Sequence, residues 1–340
     1  MGKLSLSKVL YREINDEIKL AQPNDFTSLP SIEIQFDDLD KLRPIIPYCI
    51  DFKKRSIIYI AKYDIDKGIK APFLYSHERE NADYLLETNF ENIPLAKNIK
   101  NFKAPRFVFS PGRCGSTLLS KICQTAKHTS LSEPDFYTQL ANINLSAVKI
   151  SPADIQRLIL FLTTDLLNGS NSTHDGAIIK LRSECCARPN IFIFPNVQQH
   201  SIFLIRHFIP WAKSVVLNFG KRNPNIFNHL ANKYQQSLNS FDFLSKKTEC
   251  HLLTYEEIIS PNTRRAMSLS KAFGFDISEE NITDALKEHS QKGTSLADNT
   301  LTLTEKQIQA IENCYQDWLK LAPNDLLKNH NLEYLLQPTK

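Results

Sequence analysis

Ser110-Pro-Gly-Arg-Cys-Gly-Ser-Thr117 lies between a short apolar run, Phe107-Val-Phe109, and a helix-like run, Leu118-Leu-Ser-Lys-Ile122. The chain has nine glycines in 340 residues, and nowhere else do two fall within four positions of each other. Glycine admits positive φ and lets backbone approach a ligand closely. The first N–H groups of a helix have no intrahelical partner. A strand, a Gly turn and a helix opening on hydroxyls therefore predict a loop that can cradle an oxyanion such as phosphate or sulfate. A plain strand-to-helix turn with Ser or Thr as N-cap is the alternative that this loop alone leaves open.

What the loop lacks narrows the chemistry. A nucleoside-triphosphate P-loop reads Gly-x-x-x-x-Gly-Lys-Ser/Thr, its lysine reaching the terminal phosphates. Here Ser116 follows Gly115 directly, and the cation is Arg113, two residues before that glycine.

Composition sets the frame around this loop. A chain of 340 residues with 42% apolar residues supports a packed globular fold of one large domain, or of a domain and a smaller module. The net charge of +4 comes from 41 basic and 37 acidic side chains spread along the chain. That balance fits a local anionic ligand and argues against a nucleic-acid tract. Seven cysteines form no Cys-x-x-Cys pair, which indicates neither a zinc site nor a disulfide framework and favours a reducing cytoplasm. The longest apolar stretch, Leu158-Ile-Leu-Phe-Leu162, is too short to span a bilayer, so no membrane association is expected.

Two rhythms divide the chain, residues 1–98 as a strand-rich N-terminal accessory module and residues 99–340 as an α/β domain. In the first, Ser31-Ile-Glu-Ile-Gln-Phe36 alternates as a half-buried strand does, and Ser56-Ile-Ile-Tyr-Ile-Ala61 reads as the second arm of a hairpin. In the second, strands at Arg106 to Phe109, Ala177 to Leu181, Ser201 to Ile205 and His251 to Thr254 alternate with helices. Those helices are Ser116 to Ala126, Ala153 to Leu167, Trp211 to Phe219, Pro261 to Phe273 and Glu305 to Leu321. The pattern predicts a P-loop-like three-layer α/β fold, a central parallel sheet flanked by helices. Ligands of such sheets sit beyond the carboxyl ends of the strands, where the Gly112 loop falls.

Arg206 stands at the carboxyl end of Ser201-Ile-Phe-Leu-Ile205, and Ser214 follows eight positions later. A planar cationic fork with a nearby hydroxyl suits a phosphate monoester, while an arginine salt-bridged at a strand end is the plainer alternative.

With both motifs in this order, about ninety residues apart, the sequence resembles the sulfotransferase superfamily, whose donor is 3′-phosphoadenosine 5′-phosphosulfate (PAPS). Residues 107–119 look like its 5′-phosphosulfate loop and residues 203–214 like its 3′-phosphate motif, and the likeness spans roughly residues 100–275. The resemblance implies that the loop, Gly112, Arg113, Cys114, Gly115, Ser116 and Thr117, holds the 5′-phosphosulfate, with Arg113 also assisting transfer. It implies that Arg206 and Ser214 hold the 3′-phosphate, and that no metal is needed. His207-Phe208 departs from the polar residue and Pro that usually follow such an arginine.

In-line transfer to a hydroxyl benefits from a base that takes the acceptor's proton. Tyrosylprotein and several carbohydrate sulfotransferases carry a catalytic Glu at about the position of Glu133, eighteen residues after Gly115, and the chain resembles this type more than the cytosolic small-molecule type. Pro134 is expected to bias Glu133 to extended backbone. The alternative is a solvated Glu133 beside a helix cap at Ser132 or Asp135. Asp135 is the second carboxylate of interest. Lys180 keeps the family's strand lysine, and Arg182 stands where the small-molecule enzymes have a histidine. Either could stabilise charge on the bridging oxygen, or Lys180 could snorkel to solvent. Tyr255-Glu-Glu257 resembles a structural turn of the family, and Ser290-Gln-Lys-Gly-Thr294 a faint form of its C-terminal Arg-Lys-Gly segment. Cys114 is either a reactive thiol or merely small.

The expected activity is sulfuryl transfer from PAPS to a hydroxyl-bearing carbohydrate, peptide or small molecule, with Glu133 as base. A P-loop kinase and a non-catalytic nucleotide-binding protein are the alternatives. The acceptor pocket is expected from the segments Phe136 to Thr173, Cys185 to Gln199 and Lys221 to Lys247.

Overall fold

The computed structural model describes residues 4–13, 19–92, 104–144, 148, 150–170, 177–262, 264–287 and 302–337. Each rhythm of the sequence builds its own sheet. The first contains β1 (Leu4–Arg12), β2 (Phe26–Ser28), β3 (Ile32–Ile34), β4 (Ile45–Asp51), β5 (Ser56–Ala61) and β6 (Tyr84–Asn89). All its pairings are antiparallel, in the order β2-β1-β6-β5-β4, with β3 on β1. The expected hairpin is β4–β5. Asp51 closes it by accepting from the amides of Lys53 and Lys54, an Asx-type turn. The expected strand at 31–36 shortens to three residues and joins β1. Helices α1 (Ile65–Lys70) and α2 (Leu74–Asn81) separate β5 from β6.

The second sheet is parallel throughout. It contains β7 (Arg106–Phe109), β8 (Ser130–Ser132), β9 (Ile178–Lys180), β10 (His200–Ile205) and β11 (Glu249–Thr254), ordered β11-β10-β7-β9-β8. Helices α3 (Ser116–Thr125), α4 (Asp135–Asn142), α5 (Pro152–Gly169), α6 (Phe208–Phe219) and α7 (Phe227–Lys247) connect and flank these strands. The short helices α8 (Tyr255–Ile259), α9 (Arg265–Phe273) and α10 (Glu279–Leu286) follow, then α11 (Glu305–Leu321) and α12 (Asn324–Asn329). This is the expected α/β class with a central parallel sheet and a strand-rich N-terminal sheet. No described helix is long and apolar enough to cross a membrane.

The order of the parallel strands locates a crevice. The chain leaves β7 toward β8 and later leaves β10 toward β11, so the connections after these adjacent strands diverge. Open α/β sheets bind ligands at such a switch point.

The segment 221–247, expected to shape a pocket between motifs, is mostly helix α7, 21 residues long. Its buried Leu230, Tyr234, Leu238, Phe241 and Leu244 recur at steps of three and four, the stripe of an amphipathic helix. Phe208 of α6 stacks on Trp318 of α11 and meets Tyr234 of α7 edge-on, which fixes where α6 begins.

Apolar side chains of both sheets form one buried cluster. Helix α5 lies between them: a Cβ on Gly169 would stand 2.4 Å from the Ile45 carbonyl of β4. Nearby, Tyr59 of β5 donates to Asp165 of α5 at 2.7 Å. Burial pushes the Asp165 carboxyl up to about 6, above an unfolded value of ~3.9. The folded chain thus holds a proton there more tightly than the unfolded chain. This stabilisation is full below the unfolded value and is lost as pH rises through the folded one. Asp165→Asn keeps an acceptor for Tyr59 but cannot titrate. Melting temperatures measured from pH 4 to pH 7 should shift steadily in favour of the variant relative to the parent chain.

Candidate functional site

At the end of β7 the backbone turns through positive φ at Gly112 (+82°), Arg113 (+59°) and Gly115 (+89°) before α3 begins at Ser116. Two contacts hold this curl. Trp211 of α6 donates its indole N–H to the Gly112 carbonyl at 2.9 Å. The ring of Tyr255 lies against Gly115 so closely that a Cβ there would be 2.4 Å from its Cδ2. Glycine at 115 is thus required twice, by conformation and by space. Ser116 and Thr117, at the start of α3, are buried. Cys114 is fully buried, burial pushes its thiol well up, and its Sγ donates to the Gly112 carbonyl. It is therefore not a reactive thiol, because reactivity follows thiolate character and access.

The two motifs read from sequence meet in space. Arg113 donates from Nε to the Ser214 hydroxyl at 3.2 Å. Burial, and then the charge of Arg206, lower the Arg113 guanidinium below its ordinary value. Arg206 stacks over Tyr255, 4.4 Å from ring centre to guanidinium carbon, and its Nε is 3.9 Å from Glu256. Tyr255 thus touches both the loop glycine and the second arginine. The turn expected to be structural carries this contact, with Thr254 and Glu257 forming a reciprocal cap at its start.

Lys180 does not snorkel. It is 2% exposed, and its ammonium donates to Thr117 Oγ1 at 3.0 Å and Ser132 Oγ at 3.2 Å. It also pairs with Glu133 Oε1 at 2.8 Å and sits 5.0 Å from the ring centre of Phe73. Glu133 has φ +59°, so the extended backbone expected from Pro134 is not what forms. Its amide donates to the Lys180 carbonyl at 2.8 Å, and its carboxylate accepts from the same residue's ammonium, two constraints that outweigh the local preference. Its side chain is 15% exposed and faces the cavity.

Asp135 has a different place. It is fully buried, pairs with Arg182 at 3.0 Å and accepts from the Ala21 amide at 2.7 Å. Burial raises its carboxyl to about 6 against the pull of Arg182. Arg182 in turn lies 4.8 Å from the ring centre of Tyr75. Pro134, not Ser132 or Asp135, occupies the N-cap of α4.

The loop, Glu133, Lys180 and Arg182 line a cavity of about 370 Å³, whereas Arg206 and Ser214 are not among its lining residues. Gly112, Arg113, Ser116, Thr117, Glu133 and Lys180 form its polar end. Val215, Phe219, Ile226 and Leu230 contribute apolar lining, His229, Lys233 and Glu184 contribute polar groups, and Lys233 donates to the Ser183 hydroxyl at 3.3 Å. Of the three segments expected to build a pocket, only 221–247 contributes lining; none comes from 136–173 or 185–199 among the described residues. The N-terminal sheet's partner segment supplies Phe73 and Tyr75, which sequence reasoning missed. The only local signal was an aromatic pair after Pro72, too common to single out. Residues 290–294 lie outside the described residues.

Chemically, the arrangement offers a helix N-terminus, two arginines and a buried lysine to an anion, with Glu133 and Glu184 as the carboxylates that line the cavity.

No protein-family profile matches the chain. Part of it is 27% identical over 151 residues to a component of the aspartyl/glutamyl-tRNA(Asn/Gln) amidotransferase of Dehalococcoides mccartyi, covering 42% of this chain. The chain spans 25% of that protein's length. Its solved structural neighbours include the sulfotransferase domain of the Synechococcus PCC 7002 olefin synthase, at TM-score 0.37 and 15% identity, over 63% of this chain and 96% of that one. A sulfotransferase domain of the curacin biosynthetic pathway gives TM-score 0.35 and 13% identity, over 62% and 96%. The mouse sulfotransferase SULT7A1 complexed with PAP gives 0.39 and 10%, over 67% and 89%.

The double requirement at Gly115 has a direct test. Gly115→Ala should lower stability by about 1–3 kcal/mol in chemical denaturation, since it combines left-handed backbone with a clash against Tyr255. An unchanged midpoint would mean that the loop readily takes another path.

Proposed function

We propose that the chain is a sulfotransferase that moves a sulfuryl group from PAPS to a hydroxyl acceptor. The observation that carries this reading is the convergence of Arg113, Ser214 and Arg206 at the switch point of the sheet. Two guanidiniums close enough to depress one of them are held at a cost that a multiply charged anion would offset.

In this reading the loop from Gly112 to Thr117, Cys114 included through its backbone, cradles the 5′-phosphosulfate, and Arg206 and Ser214 take the 3′-phosphate. Glu133 accepts the proton of the acceptor hydroxyl as its oxygen attacks sulfur. The bond from sulfur to the phosphate oxygen breaks, and 3′-phosphoadenosine 5′-phosphate (PAP) departs with that electron pair. Lys180, already hydrogen-bonded to Thr117, lies where it can balance charge on that oxygen, and Arg113 neutralises the phosphate. Their positions are set before the substrate arrives, so little reorganisation accompanies transfer.

Arg182 is tied to Asp135, which supports a reading in which Glu133 takes the proton, as in the tyrosylprotein and carbohydrate type. Residues 1–98 act as an accessory module to the transferase domain of residues 99–340 and wall the acceptor cavity with Phe73 and Tyr75. The odd number of cysteines and their spacing support a reducing cytoplasm as its compartment.

Incubation with sulfur-labelled PAPS and a panel of hydroxyl acceptors should give labelled product. Glu133→Gln should lower the rate by about 10²–10⁴-fold while PAP binding stays intact. Magnesium-dependent ATP turnover without any response to PAP would instead indicate a kinase, and PAP binding without transfer a non-catalytic protein.

A further inference from the structure

His200 opens β10 and Glu249 opens β11, and the parallel register sets them side by side. His251, two residues after Glu249, points to the same face, because side chains alternate along a strand. The three groups converge there. His200 Nδ1 is 3.3 Å from one oxygen of the Glu249 carboxylate, and His251 Nε2 is 3.3 Å from the other. One ligand atom from each residue lies within 4.8 Å of the other two.

The geometry points to a zinc site held by His200, Glu249 and His251. Bonds of about 2.0–2.2 Å from zinc to nitrogen and oxygen set neighbouring ligands of a tetrahedron about 3.3–3.5 Å apart. Each nitrogen stands at that spacing from a different oxygen of the carboxylate, so a turn of the exposed Glu249 side chain sets one oxygen between both imidazoles. Two imidazoles and one carboxylate match the preference of zinc, whereas calcium and magnesium take cages of oxygen. Half of the Glu249 side chain is exposed, which leaves the carboxylate free to turn and the fourth position open to water.

The site does not depend on the transferase reading. It lies at the start of β10, and Arg206, just past the far end of that strand, is roughly 20 Å away at about 3.3 Å per residue. A metal there touches no reacting group. It ties the edge strand β11 to β10, the strand that positions Arg206.

Zinc titration of the full chain, first stripped with EDTA and monitored against a chromophoric chelator, tests the site. One zinc per chain is expected, with His200→Ala and His251→Ala each weakening binding by at least about tenfold. Cys250→Ser should bind as the parent does, since its side chain points to the other face of β11. Zinc should raise the melting temperature of the parent chain, and magnesium or calcium should not. Absence of zinc binding, or stoichiometric binding that survives the paired substitution of both histidines, would show that the three residues form ion pairs alone. If the paired variant folds poorly, cobalt(II) added to the parent chain decides. Intense visible bands saturating at one equivalent support a four-coordinate site, and only the weak spectrum of octahedral cobalt overturns it.

Discussion

The curl of backbone between β7 and α3 is the constraint on which the rest of the site depends. Three of its residues have left-handed φ, and one of them, Arg113, is not glycine. Such a conformation costs about 1–2 kcal/mol for an ordinary residue and persists only where neighbours enforce it. Trp211 enforces it through the Gly112 carbonyl and Tyr255 through the surface of Gly115. Trp211 is itself set by the aromatic packing of Phe208, Tyr234 and Trp318. A core of packed rings thus helps aim the loop's Arg113 at Ser214 of α6.

A second strained residue, Glu133, closes the other side of the cavity. Its carboxylate and amide are both engaged by Lys180, and Lys180 is fixed by the hydroxyls of Thr117 and Ser132. The N-terminal sheet and its partner segments complete this shell. Ser132 donates to the Pro72 carbonyl, Phe73 lies by the Lys180 ammonium, and Asp135 reaches the Ala21 amide. The module is therefore continuous with the wall of the cavity, and changes at Phe73 or Tyr75 act directly on whatever enters it.

Much of this was legible in the sequence where local chemistry decides structure. The glycine pair, the strands around it and the helix from Glu305 to Leu321 follow from turn chemistry and periodicity, and they form as read. Helix α7 was not read from the sequence, where 221–247 stood as a pocket segment: Leu230, Tyr234, Leu238, Phe241 and Leu244 mark one face, but the polar residues between them masked the stripe. Long-range contacts carry no such local mark. The conformation of Glu133 opposes the preference set by Pro134, because Lys180, 47 residues later, holds it. Asp135 and Glu133, two residues apart, read alike in sequence, yet one pairs with buried Arg182 and the other faces the cavity. The aromatic wall at Phe73 and Tyr75 comes from a segment with no motif at all.

We propose that Arg206 and Ser214 take a 3′-phosphate beside the loop that would hold a 5′-anion. Calorimetric titration with PAP and with adenosine 5′-phosphate, which lacks that one group, measures it most directly. PAP should bind about 10–100-fold more tightly, in line with charge-assisted hydrogen bonds worth ~1.5–3 kcal/mol, and Arg206→Ala should remove the difference. Equal affinity for the two nucleotides in the parent chain would contradict it.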